Sequence, residues 1–395
     1  MPSTRREVLA SLGLGTATLA GCAGFGASGT ETPAPPQRRV TPAWEPAAGT
    51  WPQDMYGPSN TRYSPTATPP RESPTVDWRE GVIGEGRKIV VGESRVYVAS
   101  DRELVALDPA DGTRLWERDD EFVFRLGVID DRLYALTSDS LRALTTTGEL
   151  IWKGDLPESP RDFHEQNGYV YVGHPNSYTV LHADTGERVG SGDAPLGAMA
   201  VDAETLAGAG YSTVGRFTAE NRTVDSDWTD ALEGSFHRYG HPALADGTLY
   251  CSLFGTQTGM DTARVSLYDA DGTIRRTRGF AHAVTGFAVG QNRFVTTTST
   301  VRADTLGKAG ALAAHDGNES SIWQHSAAGG LSAPVAGNGV VIAGPFKGST
   351  APVSAFDIDS GERLWQRQAS GPSTLALTDE TVYLAVDREV LALRP

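Results

Sequence analysis

The chain has 395 residues, with 49 acidic and 34 basic side chains and a formal net charge of −15. A surface with this excess of negative charge repels phosphate groups, and no stretch is rich in Lys or Arg, which argues against nucleic acids and a basic membrane-binding patch. The 45 Gly and 23 Pro residues predict many turns, and therefore many short strands.

The basic residues are unevenly divided, because only Lys88, Lys153, Lys308 and Lys347 are lysines. An excess of carboxylates combined with few lysines resembles the composition of proteins from halophilic archaea. Carboxylates retain water and hydrated cations in concentrated salt, where screening shortens the range of charge repulsion. The alternative explanation is a GC-rich genome that favours Arg codons.

The amino terminus has the form of an export signal. Arg5 and Arg6 precede an apolar run from Val8 to Ala20, which is too short to cross a bilayer as a mature helix. Paired arginines at this place predict twin-arginine export. The run ends in Leu-Ala-Gly-Cys, which resembles a lipobox, so we expect cleavage before Cys22 and lipidation of its thiol. We therefore expect a cell-surface lipoprotein on the outer face of the cytoplasmic membrane; the alternative is an uncleaved anchor.

The segment after the signal is small, polar and rich in proline, a composition that predicts a flexible tether. Cys251 is the only cysteine besides Cys22, so no intramolecular disulfide is expected, and its apolar strand context predicts a buried thiol. We expect four parts: a signal peptide (residues 1–21), a tether (22–50), a lead-in segment (51–75) and a folded domain (76–395).

One alternating strand pattern recurs eight times along the rest of the chain. The copies are 35 to 46 residues apart when they are aligned on Tyr97, Tyr134, Tyr171, Leu206, Tyr250, Val295, Val341 and Tyr383. Periods near forty residues with four short strands per period predict propeller blades. The sequence therefore predicts an all-β fold, an eight-bladed β-propeller of four-stranded antiparallel blades.

A hairpin turn and a tryptophan follow in most copies. Turn pairs such as Asp111-Gly112 supply the positive φ that a two-residue hairpin requires. The strand after the turn carries an indole, which we expect to fill the gap between neighbouring blades. These residues are Trp78, Trp116, Trp152, Trp228, Trp323 and Trp365.

The last copy stops at Pro395, after its third strand and before any Trp strand. Residues 75–80 lie before the first copy and contain Trp78, so they carry the strand that the last copy lacks. We predict that this strand pairs with the last blade and closes the ring, which removes the exposed sheet edges.

The order Val-Tyr-Val, Leu-x-Ala-Leu-Asp and Asp-Gly-x-x-Leu-Trp resembles the PQQ-type β-propeller repeat over residues 76–395. Residues 51–57 and 60–64 resemble the lead-in of exported members of this family. WD40 repeats fit poorly, because their Gly-His and Trp-Asp signatures are missing. The resemblance also implies an alternative, a quinoprotein dehydrogenase that holds pyrroloquinoline quinone (PQQ) with calcium over the channel. This chain lacks the adjacent Cys-Cys pair and the long insertions of those enzymes, so we expect no cofactor and no catalytic residue.

No metal site is expected either. Asp269 and Asp271 imitate the start of a calcium loop but fall on a hairpin turn, without the glutamate and helices of an EF-hand. His237 and His241 are four residues apart, but Gly240 and a following proline keep them off a helix face. No set of Ser, His and Asp stands out as a catalytic triad.

The loops that join the outer strand of one blade to the inner strand of the next gather at one mouth of the channel. These loops carry aromatic, Arg and His side chains, a composition typical of binding hot spots. The alternative is that each side chain packs on its own blade. The candidate residues for binding a partner or ligand are Arg125, Asp162, His164, His237, Arg238, Tyr239 and His282.

These observations favour a non-catalytic, lipid-anchored, monomeric scaffold that binds an unknown protein at the cell surface. In this scaffold role it resembles the lipoprotein propeller of the bacterial outer-membrane assembly machine. A second hypothesis is a protein or dehydrogenase that binds a quinone or another small ligand at the channel mouth. A third is a cell-surface sensor or glycan-binding module. Asn221 and Asn318 begin glycosylation motifs, as expected of surface loops on an exported protein.

Overall fold

The computed structural model describes residues 46–395, except 85–87, 120–121, 158–159, 203–204, 221, 232–235, 258–259, 302–303, 318–319, 370 and 387. The export signal with Arg5 and Arg6, the lipidation site Cys22 and the glycosylation sites Asn221 and Asn318 lie outside the described residues. The part of the chain that is described contains strands and no helix, and hence no helix long and apolar enough to cross a membrane.

The strands of the first half form the closing elements and four blades, each blade being one sheet. The first two strands are β1 (Tyr63–Ser64) and β2 (Thr75–Gly81). Blade 1 contains β3 (Lys88–Val91), β4 (Val96–Ala99), β5 (Glu103–Leu107) and β6 (Arg114–Asp119). Blade 2 contains β7 (Arg125–Ile129), β8 (Arg132–Leu136), β9 (Ser140–Thr145) and β10 (Leu150–Asp155). Blade 3 contains β11 (Asp162–Gln166), β12 (Tyr169–Gly173), β13 (Tyr178–His182) and β14 (Arg188–Gly192). Blade 4 contains β15 (Ala198–Asp202), β16 (Thr205–Ala209), β17 (Thr213–Glu220) and β18 (Thr223–Ala231).

Four further sheets complete the ring. Blade 5 contains β19 (Phe236–Tyr239), β20 (Ala243–Ala245), β21 (Thr248–Gln257), β22 (Met260–Tyr268) and β23 (Ile274–Phe280). Blade 6 contains β24 (Ala283–Gly290), β25 (Arg293–Ser299), β26 (Gly310–Asp316) and β27 (Ser321–Ala327). Blade 7 contains β28 (Val335–Gly337), β29 (Val340–Ala343), β30 (Val353–Asp357) and β31 (Arg363–Arg367). Blade 8 contains β32 (Thr374–Thr378), β33 (Thr381–Val386) and β34 (Glu389–Arg394).

The ring closes as the sequence predicts. Strand β2 pairs antiparallel with β34, with Val76 opposite Leu393 and Trp78 opposite Ala392, and so supplies the fourth strand of blade 8. The weak repeat copy around Leu206 forms a complete blade, blade 4. The prediction of an eight-bladed, four-stranded antiparallel propeller is therefore confirmed.

Two blades depart from the simple pattern. In blade 5 the inner strand is split into β19 and β20, because Pro242 between them has no amide hydrogen for the ladder. In blade 7 the short β1 of the lead-in segment adds to the inner strand in parallel, with Tyr63 opposite Ala336. The core lies between the blades, where the middle strands are buried on both faces, as in β4 and β33.

Each tryptophan of an outer strand reaches into the next blade. Trp116 donates its indole N–H to the carbonyl of Thr146 (2.9 Å), and Trp152 does the same to Ala183 (2.8 Å). The register places Gly190 of blade 3 and Arg276 of blade 5 at the position that Trp holds in the other blades. The equivalent indole hydrogen bonds join Trp78 to Pro109, Trp228 to Ala270 and Trp323 to Ile358. Trp365 donates to Pro70, in the lead-in segment before the closing strand β2.

The lead-in segment runs around the inside of the ring. Its carbonyl groups accept hydrogen bonds of 2.7 to 3.0 Å from the inner strands of six blades, in ring order. The donor amide always belongs to the last or second-last residue of its strand. The pairs are Val91 to Trp51, Val128 to Pro52, Val201 to Pro58, Leu244 to Ser59, Val289 to Thr61 and Ala336 to Arg62. The lead-in segment therefore lines the end of the channel at which the inner strands finish, which we call the closed end.

Candidate functional site

The opposite end of the channel, where the inner strands begin, opens into a cavity of about 510 Å³. We call this end the open mouth. Its lining comes from the first residues of inner strands, from the loops that precede them, and from second strands and the turns that follow them. Lys88, Arg125, Arg161, Ala198, His241 and Ala283 are among these lining residues. The backbone of the lead-in segment bonds to the inner strands at the closed end, so the two ends of the propeller are chemically different.

Six of the seven candidate binding residues lie on strands rather than on loops, which corrects the sequence-based expectation of their placement. Arg125 is the first residue of β7, whereas Asp162 and His164 lie on β11, and all three are buried. Strand pairing starts at Arg125 and at Asp162, opposite Leu136 and Gly173. These positions can be buried because the two opposite charges neutralise each other, so the side chains hold the blades together.

Asp162 is the centre of this buried network. Its carboxylate accepts a hydrogen bond from Nε of Arg125 (2.8 Å) and others from the amides of Phe163 (3.0 Å) and Met199 (2.8 Å). Nδ1 of His241 lies 3.8 Å from the same carboxylate. Burial alone would raise the pKa of Asp162, but Arg125 and His241 outweigh it and lower the pKa to about 2. The network thereby ties blades 2, 3 and 4 together around one ionised carboxylate.

The lead-in segment contributes one acid and one base to the network. Oδ2 of Asp54 lies 3.5 Å from Nη1 of Arg125 and 3.6 Å from Nζ of Lys88. Burial lowers the pKa of Arg62 to about 10 against the opposing effect of Asp54, and the charge of Arg125 lowers it further. Arg62 still carries its proton at neutral pH, so its charge adds to that of Arg125 beside Asp54.

The cavity is lined by basic and aromatic side chains and by no carboxylate among the residues that the structure describes. The basic side chains are those of Lys88, Arg125 and Arg161. His241 also lines the cavity, but burial lowers the pKa of its imidazole and disfavours the charged form. Tyr211 is 47% exposed at the rim. In a chain of net charge −15, the open mouth is thus a local basic surface.

The remaining candidate residues fall into two groups. His282 lies in the turn before β24, half-buried and adjacent to the cavity-lining Ala283. His237, Arg238 and Tyr239 lie on β19, which pairs with β21, and their side chains are outside what the structure describes. His164 is buried, and burial lowers its pKa to about 4, so its imidazole is neutral at pH 7.

Several residues of the open mouth were not predicted as binding residues, although the sequence contains a signal for some of them. Lys88, Arg125 and Asp162 are separated by 37 residues each, one repeat period, and are the first residues of three successive inner strands. Residues at the same repeat position in adjacent blades are neighbours in space. The opposite charges of Arg125 and Asp162 at this position therefore predict an ion pair. The sequence suggested His241 only as a metal ligand. Asp54 contributes from outside the repeats, where no period applies.

The described residues do not fit a calcium-bound quinone. No three side chains of His, Cys, Asp or Glu come together there in a way that would hold a metal ion. Cys251 is buried and unpaired, and burial raises the pKa of its thiol, which keeps it protonated. The basic lining of the mouth repels a divalent cation. We therefore derive no chemical step through such a cofactor.

The closed ring of eight sheets defines the protein as an eight-bladed β-propeller. The model of one protein family, outer membrane protein assembly factor BamB, matches residues 67–278 and 137–395. Because these matches extend over most of the sequence, the chain belongs to the BamB family.

Solved structures share the fold at low sequence identity. BamB from Moraxella catarrhalis is 16% identical, with a TM-score of 0.64 over 82% of this chain and 100% of that chain. Sqt1 from Saccharomyces cerevisiae is 10% identical, with a TM-score of 0.56 over 82% and 96% of the two chains. The Neurospora crassa Pan2 WD40 domain is 11% identical, with a TM-score of 0.52 over 83% and 97%. No curated protein sequence matches this chain.

Proposed function

We propose that the protein is a non-catalytic scaffold, lipid-anchored outside the cytoplasm through Cys22, that binds a partner protein at its open mouth. The observation that carries this proposal is the difference between the two ends of the channel. The lead-in segment fills the closed end with hydrogen bonds to six inner strands. The other end leaves a cavity of about 510 Å³ with a basic lining and an aromatic rim. The open side therefore offers a partner a cavity into which it can insert a group.

The point at which the chain enters the propeller supports this orientation. Pro46 lies against Gly57 of the lead-in segment, and Gly49 lies against Asp379 in the turn between β32 and β33. This turn follows an inner strand and is therefore at the closed end. The first described residues therefore join the propeller at the closed end and not at the open mouth.

Blade 5 adds further surface beside the mouth. The hairpin of β21 and β22 is paired as far as Gln257 and Met260, and its strands have 10 and 9 residues. The second and third strands of blade 1 have only 4 and 5 residues. Because β21 runs from the closed end towards the mouth, the hairpin extends beyond the rim. We propose that it forms part of the surface that a partner contacts.

Cross-linking from the two ends of the channel tests the scaffold proposal. The full-length protein carries a photo-cross-linking amino acid either at Tyr211, on the rim of the mouth, or at Asp131, in the exposed β7–β8 turn at the closed end. We expect one defined protein adduct in native membranes from position 211 and none from position 131. Adducts from position 131 alone, equal adducts from both positions, or no adduct would contradict the proposal.

The anchor is tested separately. Cys22→Ser removes the thiol that would carry the lipid, so the full-length variant should appear in the soluble fraction after cell lysis. The unchanged chain and a Cys251→Ser variant should remain with the membranes. Membrane association of Cys22→Ser equal to that of the unchanged chain would contradict lipid anchoring.

A further inference from the structure

We infer that the open mouth is a carboxylate-binding site and that its occupant is an acidic peptide segment of the partner. This inference rests on the proposed function and names the chemistry of the partner. The established features of the fold do not require it, because the blades and their closure are independent of the charge at the mouth.

The first argument is the charge of the lining. Lys88 and Arg161 line the cavity, and no acidic residue is among the described lining residues. Arg161 is exposed and makes no ion pair with any residue that the structure describes. Arginine presents several N–H donors in a planar fork that matches a carboxylate in geometry as well as charge. Arg161 is therefore available to a ligand.

The second argument is the unequal use of the two network carboxylates. Asp162 is saturated by Arg125 and by two backbone amides. Asp54 is shared at 3.5 Å and 3.6 Å between Arg125 and Lys88, beyond good hydrogen-bond distance, and it accepts no hydrogen bond from the described residues. Lys88 thus retains donor capacity, and a third anion would offset the excess positive charge of the network.

The third argument is the shape and the rim. A cavity of about 510 Å³ accommodates a few side chains, which is more than an inorganic ion requires. Tyr211 lies on its rim, and Phe124 lies in the lining, with the ring of Phe122 edge-on to it at 4.9 Å between centroids. Aromatic side chains beside the basic lining residues can bind a peptide that has apolar residues next to its acidic ones. The net charge of −15 disfavours a long polyanion and leaves a short acidic segment as the fitting ligand.

Calorimetric titration of the full-length protein tests the inference. The probe is the synthetic peptide Glu-Phe-Glu-Leu-Glu, and the matched control peptide has Gln in place of each Glu. Arg161→Gln removes the free guanidinium, and Arg188→Gln makes the same charge change on the exposed outer strand of blade 3, away from the mouth. We expect the Glu peptide to bind, Arg161→Gln to weaken binding about tenfold or more, and Arg188→Gln to have no effect.

Several results would overturn the inference. One is equal binding of the Glu and Gln peptides, and another is equal weakening by Arg161→Gln and Arg188→Gln, since both show that the mouth is not specific for a carboxylate. Citrate serves as the small-molecule arm, and citrate binding as tight as peptide binding would rule out the peptide. Thermal melting of both variants verifies their folding, and Arg161→Glu provides a second variant that should abolish binding.

The outcome is distinguishable from failure of the scaffold proposal. If the Tyr211 position still gives its adduct while the Glu peptide neither binds nor competes, the carboxylate inference is wrong and the scaffold proposal stands. If no adduct forms at Tyr211 although the peptide binds, the scaffold proposal is wrong.

Discussion

The indole of Trp78 covers Gly112 across the seam between blade 8 and blade 1. Gly112 has a φ of +75°, and a Cβ at this position would lie 2.6 Å from Cε3 of the indole. The indole N–H also donates to the carbonyl of Pro109 at 3.0 Å. Glycine is therefore required at position 112 for two reasons, a left-handed backbone and the close approach of the ring. The same relationship joins Trp116 to Gly148, Trp152 to Gly186, Trp228 to Gly272 and Trp323 to Gly361.

Gly112→Ala should destabilise the protein more than a matched glycine substitution does. Gly247 has a φ of +71°, and a Cβ there would meet no atom within 4 Å, so Gly247→Ala should cost only the backbone strain, about 1 kcal/mol. Gly112→Ala should cost a further 1 to 3 kcal/mol, approximately, because the methyl group overlaps the indole. Equilibrium unfolding in denaturant measures both. If both substitutions lowered the unfolding free energy equally, the indole of Trp78 would not be in close contact with this turn.

Removing the indole should relieve the cost of the methyl group. Trp78→Ala alone should lose roughly 3 to 5 kcal/mol, because it leaves a void between the blades. In that background, Gly112→Ala should cost no more than Gly247→Ala does. A double-mutant cycle on the unfolding free energy measures this coupling. Additive losses from the two substitutions would contradict the contact.

The buried Asp162 should prove essential for stability. Asp162→Ala removes the nearer carboxylate partner of the buried Arg125 and leaves only Asp54 at 3.5 Å; breaking a buried ion pair typically costs about 3 to 5 kcal/mol. Asp131→Ala removes an exposed carboxylate and should change the unfolding free energy little. Chemical denaturation at pH 7 compares the two variants. If Asp162→Ala left the unfolding free energy unchanged, Asp162 would not be a structural residue and would again be a candidate for binding the partner.

Two buried histidines should make the protein less stable as the solution becomes acidic. Burial lowers the pKa of His164 and of His315 to about 4, and Arg278 and Arg276 of β23 lower that of His315 further, against a small opposing effect of Asp316. The unfolded chain binds these protons near pH 6.5. Stability is therefore complete above about pH 6.5 and is lost as the pH falls towards 4, by up to about 3 kcal/mol for each histidine.

His315→Leu isolates one of these contributions. His315 follows the register shift of blade 6 at the position that Leu107 holds in blade 1, so leucine fits the pattern of the core. The imidazole nitrogens of His315 have no hydrogen-bond partner among the described residues. We expect the unfolding free energy of the variant to fall less than that of the unchanged chain between pH 6.5 and pH 4. The same pH dependence in both proteins would contradict the assignment.

The repeat period predicted the fold because each blade is a local unit whose strands, turns and indoles recur in sequence. The closing of the ring was predictable too, since the last copy lacked the strand that contains Trp78. The mouth was only partly predictable. Arg125 and its partner Asp162 are one period apart, but Asp54 pairs with Arg125 from a segment without repeats. The burial of Arg125 also depends on these partners, which residue type alone does not reveal.

Hydrogen exchange of the full-length protein, with and without the partner captured at Tyr211, tests the central claim most directly. A partner at the open mouth should protect backbone amides in the loops before the inner strands, around residues 197–198, 240–241 and 283–284. The turns at the closed end, around 130–131 and 379–380, should exchange at unchanged rates. Protection of those turns, with no change at the mouth loops, would contradict the account.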